Sequence, residues 1–213
     1  LGVYLQWAQA VEREGRAPEN ITGQGARLRF RTFGTFKVFL DDELVPAARF
    51  RRFKALTVLK FLAAHRGRLV TREALIELLW PEADPARAAG NLRVVLHAVR
   101  RGLEPDLPGG QASSFVLNQG DLVYVDASER VWVDAEEFAE RSRHGAALGG
   151  QGRQEEAIAE LRAAAVLYGG DYMADDPYSD WCLFERERLR ELYISLLRQL
   201  AALLSQRGDI AGA

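Results

Sequence analysis

The sequence predicts an α+β protein in two parts: a small segment of short strands and helices, then an all-α helical half. Three observations carry this. Apolar and charged residues alternate at Leu28, Arg29, Phe30 and Arg31, as on a sheet with one wet face. Three helical stretches follow, the last two joined by a very short turn, and a hairpin pattern comes after them. Beyond residue 130 helical periodicity takes over, broken by glycine-bearing turns. Charge divides the same way. Residues 27–101 carry a net +9 and residues 102–213 a net −10, within a total of −2. One half should attract polyanions and the other repel them.

At 213 residues and 48% apolar, the chain can bury one large core or two small ones. No apolar run is long enough to cross a bilayer, and nothing resembles a secretory signal, so no membrane partner is expected. The single cysteine, Cys182, rules out an internal disulfide framework and fits a reducing cytoplasm; its plainest role is that of a small core hydrophobe. His65, His97 and His144 are far apart and lack ligand spacing, so neither metal nor cofactor is expected. Of the basic residues only Lys37, Lys54 and Lys60 are lysines. Arginine suits forked contacts to phosphate and guanine, although G·C-rich coding has the same effect.

Leu1–Arg16 reads as an amphipathic helix (Tyr4, Leu5, Trp7, Ala8, Val11) and Ala17–Ala26 as a linker, the tail of an upstream helical segment and the mark of a larger protein. Arg27–Leu40 is a strand pair broken at Gly34; Asp41-Asp42-Glu43 turns the chain and Leu44–Pro46 returns, giving a small meander. Ala48–His65 is the first long helix, with Phe53, Leu56, Leu59 or Lys60, Leu62 and Ala63 on its buried side. Between Leu44 and Arg72 lie eight basic residues and no acid, a run of one sign that calls for a partner.

Gly67 ends that helix, and Thr71 caps the next, Thr71–Trp80. Val70 and Leu75 are spaced as a hydrophobic staple, and Leu75, Leu78 and Leu79 face inward. Pro81 stops the helix and Pro81–Ala83 connects to the stretch around which the chain is organised, Asp84–Leu103. There Asp84 caps and Pro85 takes the first helical position, where its missing N–H is no loss. Leu92, Leu96, Val99 and Leu103 make an apolar stripe. Arg87, Gly90, Val94, His97 and Arg101 lie opposite, with Arg93 and Arg100 on the flank and no acid from Pro85 to Leu103. A helix seated on one side and basic on the other suits the major groove. Two helices joined by a short turn behind a strand meander form a helix-turn-helix. Ser114–Asn118 and Leu122–Asp126 then pair across Gln119-Gly120-Asp121 as a hairpin, with Gly120 supplying positive φ. A hairpin after such a helix is a wing.

In the second half, Asp134 caps a helix over Asp134–Leu148 with Phe138, Ala139 and Ala146 inside. Gln154–Tyr168 is the next, with Ala157, Ile158, Leu161, Ala164, Ala165 and Tyr168 inward. Tyr178–Gln206 is one long helix, apolar at Trp181, Leu189, Leu192, Leu196, Leu200 and Leu203, and RGDIAGA opens a further one. The spacing suggests tetratricopeptide-like hairpins; a plain helical bundle is the alternative. The acidic loop at Asp175, Asp176 and Asp180 has no His or Lys placed beside it, and there is no Ser-His-Asp order, metal spacing or nucleotide loop, so no enzyme is expected.

Residues 49–105, from Arg49-Phe50-Arg51-Arg52 through WPEADPARAAGNLRVVLHAVRRGLEP, resemble the OmpR-type winged-helix DNA-binding domain. More narrowly, they resemble the variant that precedes a bacterial transcriptional activator domain, as in the Streptomyces antibiotic regulatory proteins. WVDAEEF, GDYM and the long Trp181 helix are similar to that activator domain's tetratricopeptide-like repeats. Beyond the tail and linker over 1–26, the resemblance implies a winged helix over 27–130 and an activator domain over 131–213, cut after its third helix. It further implies a sequence-specific regulator, most simply an activator, bound to double-stranded DNA in the cytoplasm. Arg87, Asn91, Arg93, Val94, His97, Arg100 and Arg101 would form the recognition surface. Arg51, Arg52, Lys54, Thr71 and Arg72 would hold phosphates, and Asn118 and Gln119 of the wing would approach the minor groove. Pro81, Glu82 and Ala83 would touch RNA polymerase at a sigma subunit, and a homodimer is compatible with all of this. Two departures stand out. His97-Ala98-Val99-Arg100 replaces the family's SRLR stretch and lacks its first arginine, and the wing tip carries an acid and no cation. A helical-repeat scaffold with auxiliary DNA binding is the competing reading.

Overall fold

A computed structural model of the chain describes residues 27–51 and 53–206. The expectations for residues 1–26, for Arg52 and for residues 207–213 lie outside the described residues. The fold is a winged helix-turn-helix joined to an all-α domain. The chain divides into two compact units: 27–30 with Lys37–Val131, and Arg31–Phe36 with the helices after Trp132.

Strands β1 (Leu28–Arg31), β2 (Lys37–Leu40) and β3 (Glu43–Val45) form the meander, in a four-stranded sheet of order β3-β2-β1-β7, where β7 is Val131–Val133. Strands β2 and β3 are antiparallel, with Leu40 opposite Glu43. Their two-residue turn puts Asp41 and Asp42 at positive φ (49° and 71°), as the twist of a tight hairpin requires. A short 3₁₀ turn, Ala47–Phe50, comes next, and Arg51 at φ 55° separates it from α1 (Phe53–Ala64). That break corrects the expected continuous helix from Ala48. Phe53, just beyond the reversal, is 78% exposed instead of buried, and Phe50 takes the core position at 1%. Phe50 lies where a side chain on Gly102 would stand: a Cβ there would be 2.4 Å from its ring.

Strand β4 (Val70–Thr71) leads into α2 (Arg72–Leu79), and α3 runs from Pro85 to Leu103. Both expected caps are present: Thr71 accepts from the Ala74 amide and Asp84 from the Arg87 amide, each at 3.0 Å. Leu92, Leu96, Val99 and Leu103 are buried, as their spacing predicts. Leu75 and Leu79 are buried too, whereas Leu78 is half-buried. The wing is β5 (Val116–Gln119) and β6 (Leu122–Val125), closed by Gly120 at φ 61° and Asp121. Strand β4 adds to β6, making a three-stranded sheet of order β4-β6-β5. That third strand is two residues long and ends on a helix cap, so no period-2 pattern announces it.

Strand β7 (Val131–Val133) runs directly into α4 (Asp134–Gly150), followed by α5 (Gln154–Leu167) and α6 (Asp180–Gln206). Asp134 was expected to cap α4; its side chain instead turns inward. The carboxylate accepts from the Thr32 amide (2.8 Å), the Thr32 hydroxyl (2.5 Å), the Phe33 amide (3.2 Å) and the Ala135 amide (2.8 Å). Its burial raises the carboxyl pKa, and these hydrogen bonds oppose the rise. Phe33 then enters an aromatic cluster, edge-on to Phe138 at 5.2 Å and 4.8 Å from Tyr168. Ala146, expected inside, is exposed; Ser142, Gly145 and Leu148 are buried instead. Gly145 faces α5 so closely that a Cβ would meet Leu161 at 2.8 Å.

Candidate nucleic-acid interface

Helix α3 is held down by its apolar stripe, which leaves its other side to solvent. Arg87, Gly90, Asn91, Arg93, Val94, His97 and Arg101 are all exposed, and Arg100 is half-buried. Among the described residues, no side chain or backbone group pairs with the Arg87 or Arg93 guanidinium, so both keep their full donor set for something outside the chain.

Arg100 and Arg101 differ from them. Arg100 donates through Nε to the Val116 carbonyl (3.0 Å) and through Nη2 to Asn118 Oδ1 (2.8 Å), fastening β5 to α3. Partial burial, with Arg72 nearby, lowers its pKa from the ordinary arginine value. Arg101 Nη1 donates to the carbonyls of Pro105 and Leu107, both at 2.7 Å, and so pins the loop after α3. Glu104 helps from the other side, accepting from the Ser113 hydroxyl and from the Ser114 amide at 2.9 Å. Arg100 follows Leu96 by four residues, at the rim of the apolar stripe. That position is the one sequence signal that its head would be drawn inward.

The residues expected to hold phosphates are similarly mixed. Arg51 and Arg72 are exposed and half-buried respectively. Arg72 Nε lies 3.7 Å from Asp121 on the wing tip, and its amide donates to the Asp121 carbonyl. Thus the acid at that tip partly answers a cation at the start of α2. Lys54 Nζ donates to the Leu79 carbonyl (2.7 Å) and stands 4.4 Å from the Trp80 ring centroid, closing the end of α2. The Thr71 side chain is engaged as a cap. On the wing Asn118 and Gln119 are exposed, and so are Pro81, Glu82 and Ala83 of the connector.

In the helical unit the acidic loop contains no cluster of metal-ligating groups among the described residues. Its organiser is Arg186, a residue outside the sequence-based expectations. It is buried and donates to the carbonyls of Tyr172 (2.7 Å), Met173 (3.0 Å), Asp176 (2.9 Å) and Pro177 (3.2 Å), and to Cys182 Sγ (3.2 Å). Cys182 is buried beside it, as expected. A cation at i+4 from Cys182 and i−3 from Leu189 sits within a buried stripe, and that was the available signal. Arg190 pairs with Asp171 at 2.6 Å and keeps that carboxyl below its ordinary value.

Residues 53–118 match the family described as "Transcriptional regulatory protein, C terminal", and residues 133–213 match the "Bacterial transcriptional activator domain". No curated protein matches the chain. Among solved structures, the chain is similar to Mycobacterium tuberculosis EmbR in complex with a low affinity phosphopeptide, with a TM-score of 0.73 and 22% identity over 87% of this chain and 47% of that one. The chain therefore spans about half the length of that structure, and the likeness is one of fold.

Proposed function

We infer, for a chain that belongs to the transcription regulators by joining an OmpR-type winged helix to a bacterial transcriptional activator domain, that it binds specific duplex DNA and activates transcription. One observation carries the reading: α3 buries Leu92, Leu96, Val99 and Leu103 and turns unpaired Arg87 and Arg93 to solvent, with no acid along its length. Placed in a major groove, Arg93 and His97 approach base edges. Arg51 and Arg72 neutralise phosphates, which positions the helix without reading sequence. Arg100 supports this indirectly by fixing the wing that carries Asn118 and Gln119. The exposed Pro81–Ala83 connector is the surface offered to RNA polymerase, at its sigma subunit. Acting on duplex DNA places the site of action in the cytoplasm. Separately, no helix among the described residues is long and apolar enough to cross a membrane.

Selection from a random duplex pool tests the reading. It should return one motif, bound with an affinity that falls steeply as salt rises. A half-site repeat in that motif would indicate a dimer on DNA. The scaffold reading draws on α6, where Leu183, Ile194 and Leu197 are exposed. It predicts little salt-sensitive affinity for any duplex, and that result would replace the first reading.

A further inference from the structure

The centre of the outward face of α3 is not cationic. Gly90 and Val94 are one turn apart there, and the charged and polar groups flank them: Arg87 and Asn91 on one side, Arg93 and His97 on the other. Val94 is 47% exposed. Gly90 is unusual in a different way. Its φ is ordinary, it lies mid-helix, and a Cβ built on it would meet nothing within 4 Å. Glycine inside a helix weakens it relative to alanine, so a glycine there needs a reason. Gly102 and Gly145 have theirs, Phe50 and Leu161 respectively, inside the fold. Nothing among the described residues fills the space beside Gly90, which leaves it open to a group from outside the chain.

We propose that Gly90 and Val94 form a methyl-sized apolar seat that reads a thymine in the major groove, with Gly90 letting the helix backbone come close and Val94 packing on the thymine C5-methyl. Thymine is the base that offers an apolar group on the major-groove edge, and an aliphatic side chain is its partner. The cationic rim brings the phosphates to either side, so the apolar centre meets base edges and not the backbone. Asn91 is placed to bond an adenine's major-groove edge next to it. The proposal rests on the DNA-binding reading above and adds a specificity: at least one invariant T·A pair under the middle of α3.

The test uses the full chain and the motif it selects. Each thymine is replaced in turn by deoxyuridine, which removes only the methyl. One replacement should weaken binding about 4-fold, the value of one buried methyl-sized group. With Val94→Ala that same replacement should have almost no further effect, whereas at other thymines the parent and variant should respond alike. Gly90→Ala should raise the thermal midpoint by about 2–4 °C and yet weaken binding of the motif. If Gly90→Ala binds as tightly as the parent, or no deoxyuridine effect depends on Val94, the seat is wrong while DNA recognition stands. If the chain selects no duplex, the DNA reading fails and the seat with it.

Discussion

The arginines of α3 and those of the helical unit are the same residue used in opposite ways. On α3, Arg87 and Arg93 stand exposed with no partner among the described residues. In the helical unit Arg141 meets Glu137 and Glu160, Arg188 meets Glu185, Arg190 meets Asp171 and Glu187, and Arg186 is enclosed by backbone carbonyls. The difference separates cations that hold the fold from cations the fold holds out. A guanidinium whose donors are satisfied internally contributes stability; one left open contributes little until a polyanion arrives. Net charge alone does not make this distinction, since Arg100 and Arg101 lie on the basic helix and still spend donors internally.

The sharpest way to break the contrast is Arg186→Ala. It strands several buried carbonyls at once and should destabilise the chain by about 3 kcal/mol or more, read as a lower midpoint in urea. Arg186→Lys should recover only part, because an ammonium cannot span the same acceptors. Arg93→Ala should do the reverse. Stability should move by less than about 0.5 kcal/mol, while binding of the selected motif weakens by about 1–3 kcal/mol and specificity relaxes at one position. Equal stability losses for the two would abolish the distinction. Arg51→Ala should weaken all duplexes alike and reduce the salt slope by about one. An unchanged slope would remove Arg51 from the phosphate contacts.

The smallest effect is a pH dependence. Arg190 lowers the Asp171 pKa in the folded chain, so the pair's stabilisation is present above the ordinary aspartate value of about 3.9 and is lost as pH falls through the folded value. Asp171→Asn should flatten that acid-side loss in thermal melts. Asp134 has the opposite sign: its raised pKa means that stability falls as pH rises from the ordinary value through the folded one. Asp171→Asn leaves this limb in place, and a melt series from pH 3 to pH 7 should show the two separately.

Much of the fold was legible because helix signals are local. The Asp84-Pro85 start, the Thr71 cap and the Leu92–Leu103 stripe each depend on residues a turn apart, and each is where the spacing puts it. Phe53 departs from its expected place because the backbone reverses at Arg51 just ahead of it, whereas Leu59, Leu62 and Ala63 further along the helix are buried as their spacing predicts. Asp134 looks like a cap by sequence and is claimed instead by Thr32 and Phe33, about a hundred positions earlier. The outward face of α3 was legible as a list of residues; the partners of Arg101 and Lys54, and the Val116 partner of Arg100, were not, since those acceptors are backbone carbonyls that any residue could supply.

The grip of Asp134 on Thr32 and Phe33 has a consequence for anyone who would recombine such chains. The helical unit is not one continuous stretch: its six-residue piece Arg31–Phe36 is inserted in the middle of the meander. A transplant made with a single crossover ahead of Trp132 leaves that piece behind, and with it the amides that solvate a buried carboxylate and the ring that fills the space beside Phe138. A working chimera has to carry both segments, which takes three crossovers, so the smallest heritable module is larger than the stretch from 133 onward.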